Sequence, residues 1–316
     1  MSKVTIIGAT GNVGGYAAHA ISANPHVHEI LLYGREGREP LLRGIVQDLA
    51  DSFAARGTDI AINWTTDLKE TDGSDIFVIT AGIPRKPGQD RLDLARENAR
   101  VIGPVAQTIG AVSPKAKILI VTNPVDVMTC VALRCSGMAP NQVFGLGTHL
   151  DSMRLKSLIA GYFHVHVSEV HTRIIGEHGE SMVPLWSATT IGGIKISNLP
   201  EFSHLPVQEF IQSVKCSGEE IIRNKGSTVY GPGEAIASLV KTVLGDENRI
   251  LTVSAHVKRE VHEMPGDVCI GVPARMNRDG VFPISIRIDE SEIVAFRESV
   301  EKIRSITQKV FDDFNK

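Results

Sequence analysis

The chain has 316 residues, 42% of them apolar and 22% charged, with a formal net charge of −3. This balance suits one large or two medium domains with a sizeable core, and it excludes long disordered stretches. It also excludes a nucleic-acid footprint, because no segment concentrates Lys and Arg.

Short β-branched runs alternate with helical patterns through the first half. Residues 4–7 read as a buried strand, and residues 11–23 carry the small and apolar side chains of a packed helix. A second strand is predicted over 29–33. Leu41, Leu42, Ile45, Val46, Leu49 and Phe53 then recur at helical spacing. Strands follow at 60–63, 75–80 and 117–121, with a helix over 91–112 before the last of them. Repeated β-α-β units imply a parallel sheet with helices on both faces. Near Asn141 the texture changes. Helices are predicted over 151–162, 206–225 and 232–244, strands over 250–256, 268–273 and 284–288, and an amphipathic helix over 291–315. The expected fold is α/β. A Rossmann-type, doubly wound parallel sheet occupies residues 1–142, and an α+β catalytic domain occupies 143–316, joined without a low-complexity linker.

Cys130, Cys135, Cys216 and Cys269 show no C-x-x-C spacing. A chain this long does not depend on disulfides, so reduced, mostly buried thiols are expected. Met1-Ser2-Lys3 leads straight into an apolar strand, without the regions of a signal peptide. No apolar run has the length of a membrane span, and the cytoplasm is the expected compartment.

Gly8-Ala9-Thr10-Gly11-Asn12-Val13-Gly14 stands where the first strand ends and the first helix begins. Glycines let a backbone approach a pyrophosphate, and the helix start supplies free N–H groups and a positive dipole end. Glycine-rich turns also serve as packing devices, so the strand-loop-helix context carries the reading. An NAD site usually has an acid at the end of the second strand to hold the ribose 2′-hydroxyl. Here the sequence is Leu32-Tyr33-Gly34-Arg35, with a cation and no acceptor. Arg35, aided by Arg38 and the Thr10 hydroxyl, can pair with a 2′-phosphate. NADP is therefore expected to be preferred, with NAD possible.

Four further motifs carry a resemblance: Ala81-Gly82-Ile83-Pro84-Arg85-Lys86-Pro87-Gly88, Val121-Thr122-Asn123-Pro124-Val125-Asp126, Gly147-Thr148-His149-Leu150-Asp151-Ser152-Met153-Arg154, and Gly176-Glu177-His178-Gly179. They stand in order between residues 81 and 179, and with a similarity that runs from the first strand to the C-terminal helix they resemble the lactate/malate dehydrogenase family, nearest to its archaeal-type malate dehydrogenases. The chemistry agrees. Oxidising a 2-hydroxy acid requires a base for the hydroxyl proton, and a histidine titrates in the right range. Among 11 histidines, His178 is singled out by flanking glycines and by the motif. The resemblance makes Asp151 its orienting partner and Arg154 a bidentate grip on the substrate carboxylate. It has Arg91 polarise the substrate carbonyl and assigns Arg85 to a second carboxylate. It sets Asn123 against substrate and cofactor, and Asn98 and Val121 against the cofactor. The segment from Gly82 to Arg91 reads as a lid.

The implied substrate is a small dicarboxylic acid, malate or oxaloacetate, with L-lactate as the alternative, and the implied assembly is a homodimer or homotetramer. No metal, nucleic acid or membrane is called for. An NAD-dependent glycosidase would need metal ligands that the sequence does not cluster. A fold that had lost its chemistry would have no use for the complete set of His178, Asp151, Arg154, Arg91 and Asn123.

Overall fold

The structure, a computed structural model, describes residues 2–84, 88, 90–258 and 267–314. The first half supplies β1 (Lys3–Ile7), α1 (Asn12–Ile21), β2 (Glu29–Tyr33), α2 (Glu39–Ala55), β3 (Ala61–Thr65), β4 (Ile76–Ile79), α3 (Arg91–Val112), β5 (Lys117–Ile120), α4 (Val125–Ser136) and β6 (Val143–Gly145). The six strands pair in parallel in the order β3-β2-β1-β4-β5-β6. β1, β4 and β5 are almost wholly buried because helices cover both faces of the sheet. The order reverses between β1 and β4, which opens a crevice at the carboxyl ends of those strands.

The remaining elements are α5 (His149–Tyr162), β7 (Val170–His171), β8 (Ile174–Gly176), β9 (Met182–Pro184), β10 (Thr190–Ile191), β11 (Ile194–Lys195), α6 (Val207–Lys225), α7 (Tyr230–Leu244), β12 (Arg249–Val257), β13 (Val268–Asn277), β14 (Gly280–Pro283) and α8 (Glu290–Phe314). β12 pairs antiparallel with β6, and β13, β8, β9 and β14 extend the same sheet to eleven strands. The change of texture near Asn141 is thus a change of strand direction within one sheet. β6, immediately after it, is the strand that carries both kinds of pairing. β7, β10 and β11 form a small separate sheet. One core lines the long sheet, and a second, including Leu155, Ile159, Val170 and Val214, joins α5 and α6 to the small sheet.

The short strands β6 to β11 and β14 are not predicted from the sequence, and two longer segments differ from the prediction. α4 does not appear in the pattern because every residue from Val125 to Ala132 is buried. Eight consecutive buried positions cover every side of those turns, so no apolar stripe stands out against a polar face. Conversely, 284–288 is not a strand. The Ile284 N–H still reaches the Pro273 carbonyl at 2.9 Å, but Pro273 has no N–H to return, and the ladder ends. Among the described residues, no helix is long and apolar enough to cross a membrane. The four cysteines are free, Cys130 and Cys269 buried, Cys135 and Cys216 half-buried.

Candidate active site

The chain leaves β1 through a turn that only glycine fits. Gly8 has φ 88°, and a Cβ there would lie 2.6 Å from the Ala81 backbone nitrogen. A Cβ on Gly14 would lie 2.6 Å from the Gly8 carbonyl oxygen, so α1 begins flush against the loop. Gly11 caps α1 with no side-chain acceptor, and no acid stands in the first turn. The first-turn N–H groups of Asn12, Val13 and Gly14 therefore face outward at the positive end of the helix, which suits a pyrophosphate. Thr10 is half-buried beside them. Asn12 is exposed and donates from Nδ2 to Ser227 Oγ at 3.1 Å, tying the loop to the turn before α7. Nothing in the sequence pattern signals that bridge.

At the end of β2, Gly34 is buried while Arg35 and Arg38 are exposed. A Cβ on Gly34 would meet Leu42 Cδ1 at 3.0 Å. Val121 is half-buried at the end of β5, and its N–H donates to the Ile79 carbonyl at 2.9 Å. Asn123 follows, joined to Pro124 by a cis peptide bond. Asn98, expected to contact the cofactor, is 1% exposed. Its Nδ2 donates to the Asn123 carbonyl at 2.7 Å and to the Ile83 carbonyl at 3.2 Å, and its Oδ1 accepts the Ile83 N–H at 2.7 Å. Asn98 is thus a brace between the 82–84 segment and Asn123, with its amide committed to backbone.

The catalytic candidates converge from two elements. His178 sits in the turn between β8 and β9, and Asp151 and Arg154 share the first turns of α5. Their i, i+3 spacing puts both on one helix face. His178 Nδ1 lies 2.6 Å from Asp151 Oδ2, and Arg154 Nη1 donates to Asp151 Oδ1 at 3.2 Å. Asp151 is 1% exposed, whereas 24% of the His178 side chain reaches the cleft. With Nδ1–H directed to the carboxylate, Nε2 is the nitrogen free to exchange a proton. Burial pulls the imidazole pKa down, but the Asp151 carboxylate, helped by Asp126, more than reverses this, and the pKa ends above its ordinary value.

Arg91 begins α3, with 29% of its side chain exposed, and its Nη1 is paired with Glu177 Oε1. Glu180 lies 3.8 Å from its Nη2. Glu177 is itself buried and also accepts from Lys302 Nζ at 2.8 Å and from the Ser181 hydroxyl at 2.6 Å. Burial pushes the Glu177 pKa up, and Lys302, Ser181 and Arg91 together hold it below the usual carboxylate value. A Cβ on Gly179 would fall 2.9 Å from Arg91 Nη1, so this glycine leaves room for the guanidinium. Arg85 lies outside the described residues.

The structure therefore brings His178, Asp151 and Arg154 into one cluster and places Arg91 against the neighbouring Glu177. The nucleotide loop lies across the crevice between β1 and β4. Sequence reasoning missed Asp126, which accepts the His178 backbone N–H on Oδ2 at 2.9 Å. It also missed the Glu177, Ser299 and Lys302 network that docks α8 on the turn carrying His178. Asp126 stands four residues after Thr122 inside a quoted motif, but its helix leaves no periodic trace.

Residues 2–145 match the NAD-binding domain of lactate/malate dehydrogenases, and residues 148–314 match the α/β C-terminal domain. The chain belongs to the lactate/malate dehydrogenase family. An L-2-hydroxycarboxylate dehydrogenase (NAD(P)(+)) of Methanocaldococcus jannaschii is 48% identical over 98% of this chain and 99% of its own length. A malate dehydrogenase of Methanothermobacter thermautotrophicus is 44% identical over 98% of this chain and 97% of its own. Among solved structures, the malate dehydrogenase of Archaeoglobus fulgidus in complex with NADH superposes with a TM-score of 0.86 at 34% identity, covering 98% and 99% of the two chains. The family match makes the crevice at α1 a nicotinamide-nucleotide site, and the open helix start and bare glycines described above fit that group.

Proposed function

We propose that this protein is a malate dehydrogenase that interconverts malate and oxaloacetate and uses NADP(H) in preference to NAD(H). The observation that carries the reading is the His178–Asp151–Arg154 cluster. One buried carboxylate holds both a cleft-facing imidazole and the guanidinium beside it. The bound nicotinamide supplies the hydride acceptor or donor. His178 takes the hydroxyl proton on Nε2 during oxidation and returns it during reduction. Asp151 fixes the tautomer and stabilises the imidazolium. Arg154 grips the substrate carboxylate and so fixes the reacting carbon. Arg91 exchanges its contact with Glu177 for the carbonyl oxygen as negative charge gathers there. Asn98 keeps the backbone of Asn123 in register at the carboxyl end of β5, where Asn123 meets substrate and cofactor. The backbone around Gly8, Gly11, Asn12, Val13 and Gly14 would hold the pyrophosphate, with Val121 lining the crevice.

NADP preference is supported by a buried Gly34 that offers no acceptor to a 2′-hydroxyl and by the exposed Arg35 next to it. The dicarboxylate is supported by Arg85 in the sequence and by relatives named malate dehydrogenase. The M. jannaschii relative's name favours a broader 2-hydroxy acid range as the second reading. We place the division of the domains at residues 142/143, a few residues before the junction of the two family matches; the family resemblance supports a homodimer or homotetramer and a cytoplasmic setting.

The test is kcat/KM for oxaloacetate and pyruvate with NADPH and with NADH, in the wild type and in Arg85→Gln. A second substrate carboxylate paired in a closed site is worth about 2–5 kcal/mol on deletion. Oxaloacetate is therefore expected to exceed pyruvate by roughly 10²-fold or more, and the variant loses mainly oxaloacetate activity. Pyruvate reduction as fast as oxaloacetate reduction overturns the malate reading in favour of a lactate or broad 2-oxo acid enzyme.

A further inference from the structure

Asp126 is the second residue of α4 and is 2% exposed. Its Oδ2 accepts the His178 backbone N–H at 2.9 Å. His178 is thus gripped at both ends by buried carboxylates, Asp151 at the ring and Asp126 at the main chain. Asp126 Oδ1 and the Ser254 hydroxyl are both buried and neither makes a close hydrogen bond. Ser254 nevertheless lies near enough to ease the carboxyl's pKa downward.

Holding an N–H does not require a charge. An asparagine or serine oxygen accepts the same bond without the cost of burying an anion. A buried carboxylate here needs another account, and its surroundings supply one. The groups facing this corner are Asp151 and Arg154 from α5, Glu177 from the catalytic turn, Cys130 on α4 itself and Cys269 from β13. Arg154 is committed to Asp151, and Glu177 to Arg91 and Lys302. Among the described residues, the positive charge best placed to answer Asp126 is His178 when protonated. The start of α4 favours an anion at that position as well.

We propose that Asp126 is a positioning residue for proton transfer: it anchors the His178 main chain and lends the imidazolium a second negative charge beside that of Asp151. The proposal rests on His178 being the proton carrier. Burial raises the Asp126 carboxyl to about 6, with the His178 N–H and Ser254 pulling it back, so it is ionised at neutral pH. Its field acts with Asp151 in raising His178. The form of His178 favoured in this way is the protonated one, which reduction of an oxo acid consumes.

Asp126→Asn retains the size and an acceptor oxygen and removes the charge. Two quantities are read with cofactor bound: the His178 imidazole titration by NMR, assigned with His178→Asn, and the pH profile of kcat/KM for oxaloacetate. The titration midpoint of Asp126→Asn is expected to fall by about half a unit or more, roughly threefold in proton affinity. The basic limb of the reductive profile moves down with it, while the cofactor KM holds. An unmoved His178 titration in Asp126→Asn overturns the proposal even if turnover falls, because a packing role alone does not change proton affinity. If Asp126→Asn does not fold, Asp126→Ser, which also keeps an acceptor oxygen and removes the charge, is read in its place, and an unmoved His178 titration there overturns the proposal equally. If the wild type reduces no oxo acid, the functional reading fails, and the NMR titration still decides the role of Asp126.

Discussion

His149 and Asp126 set opposing pH dependences of stability within one core, and removing either exposes the other. His149 begins α5, is 5% exposed, and its Nε2 is buried with no hydrogen-bond partner. Burial, with Arg249 nearby, pushes its pKa from 6.5 down to about 4. Between those values the unfolded chain holds a proton that the folded protein lacks, so stability falls as pH drops from 6.5 toward 4. Asp126 runs the other way. Burial raises it from 3.8 to about 6, so the folded state holds the extra proton in that window and gains stability as pH falls through it. The gaps are about 2.5 units for His149 and about 2.2 for Asp126, and each unit is worth roughly 1.4 kcal/mol, so the linkages are bounded at about 3.5 and about 3 kcal/mol. Local relaxation makes about 1–3 kcal/mol the working expectation. The two offset in the wild type. His149→Gln should therefore gain about 1–3 kcal/mol on the wild type between pH ~7 and ~4.5. Asp126→Asn should be the more stable protein near neutrality and lose that advantage over the same range. Urea unfolding at several pH values measures both differences. A His149→Gln difference that stays flat across the range would mean that His149 is charged in the folded state, and the reasoning fails.

Arg35→Ala should lower kcat/KM for NADPH roughly tenfold, leave NADH within about twofold, and lose part of its effect in high salt; equal losses for both cofactors refute the 2′-phosphate role. Gly34→Asp alone places its Cβ 3.0 Å from Leu42 Cδ1, so it should favour NADH only weakly until Leu42→Val provides room. His178→Asn should lose about 10³-fold or more in kcat with cofactor binding intact, as read by turnover alongside fluorescence titration of NADPH; near-normal turnover removes His178 from its role.

The first half of the fold was largely legible because buried parallel strands are short apolar runs separated by amphipathic helices. The bounds of β2 and α3 coincide with those expected from residues 29–33 and 91–112. The second half was less legible for two physical reasons. The turn that carries His178 is held by β8 and β9, each three residues long and too short for any alternation. The small sheet of this half is built from β7, β10 and β11, each two residues long, which leave no pattern at all. The placement of His178 by Asp151 was readable from the motifs, whereas its hold by Asp126 was not, because a side chain accepting a distant main-chain N–H leaves no mark on spacing. Asn98 shows the converse. A motif match suggested a cofactor contact but gave no sign of the three backbone hydrogen bonds by which the amide braces Ile83 and Asn123.

The pairing of β6 with β5 on one side and β12 on the other bears on how portable the halves are. A chain cut after β6 would leave the nucleotide-binding half with the bare edge of β6 and the other half with the bare edge of β12. Each edge is a row of unpaired N–H and C=O groups that accepts any strand offered to it. Neither half is then an independent module to be grafted onto another catalytic partner. A recombined protein would need a partner strand matching β6 in register and direction.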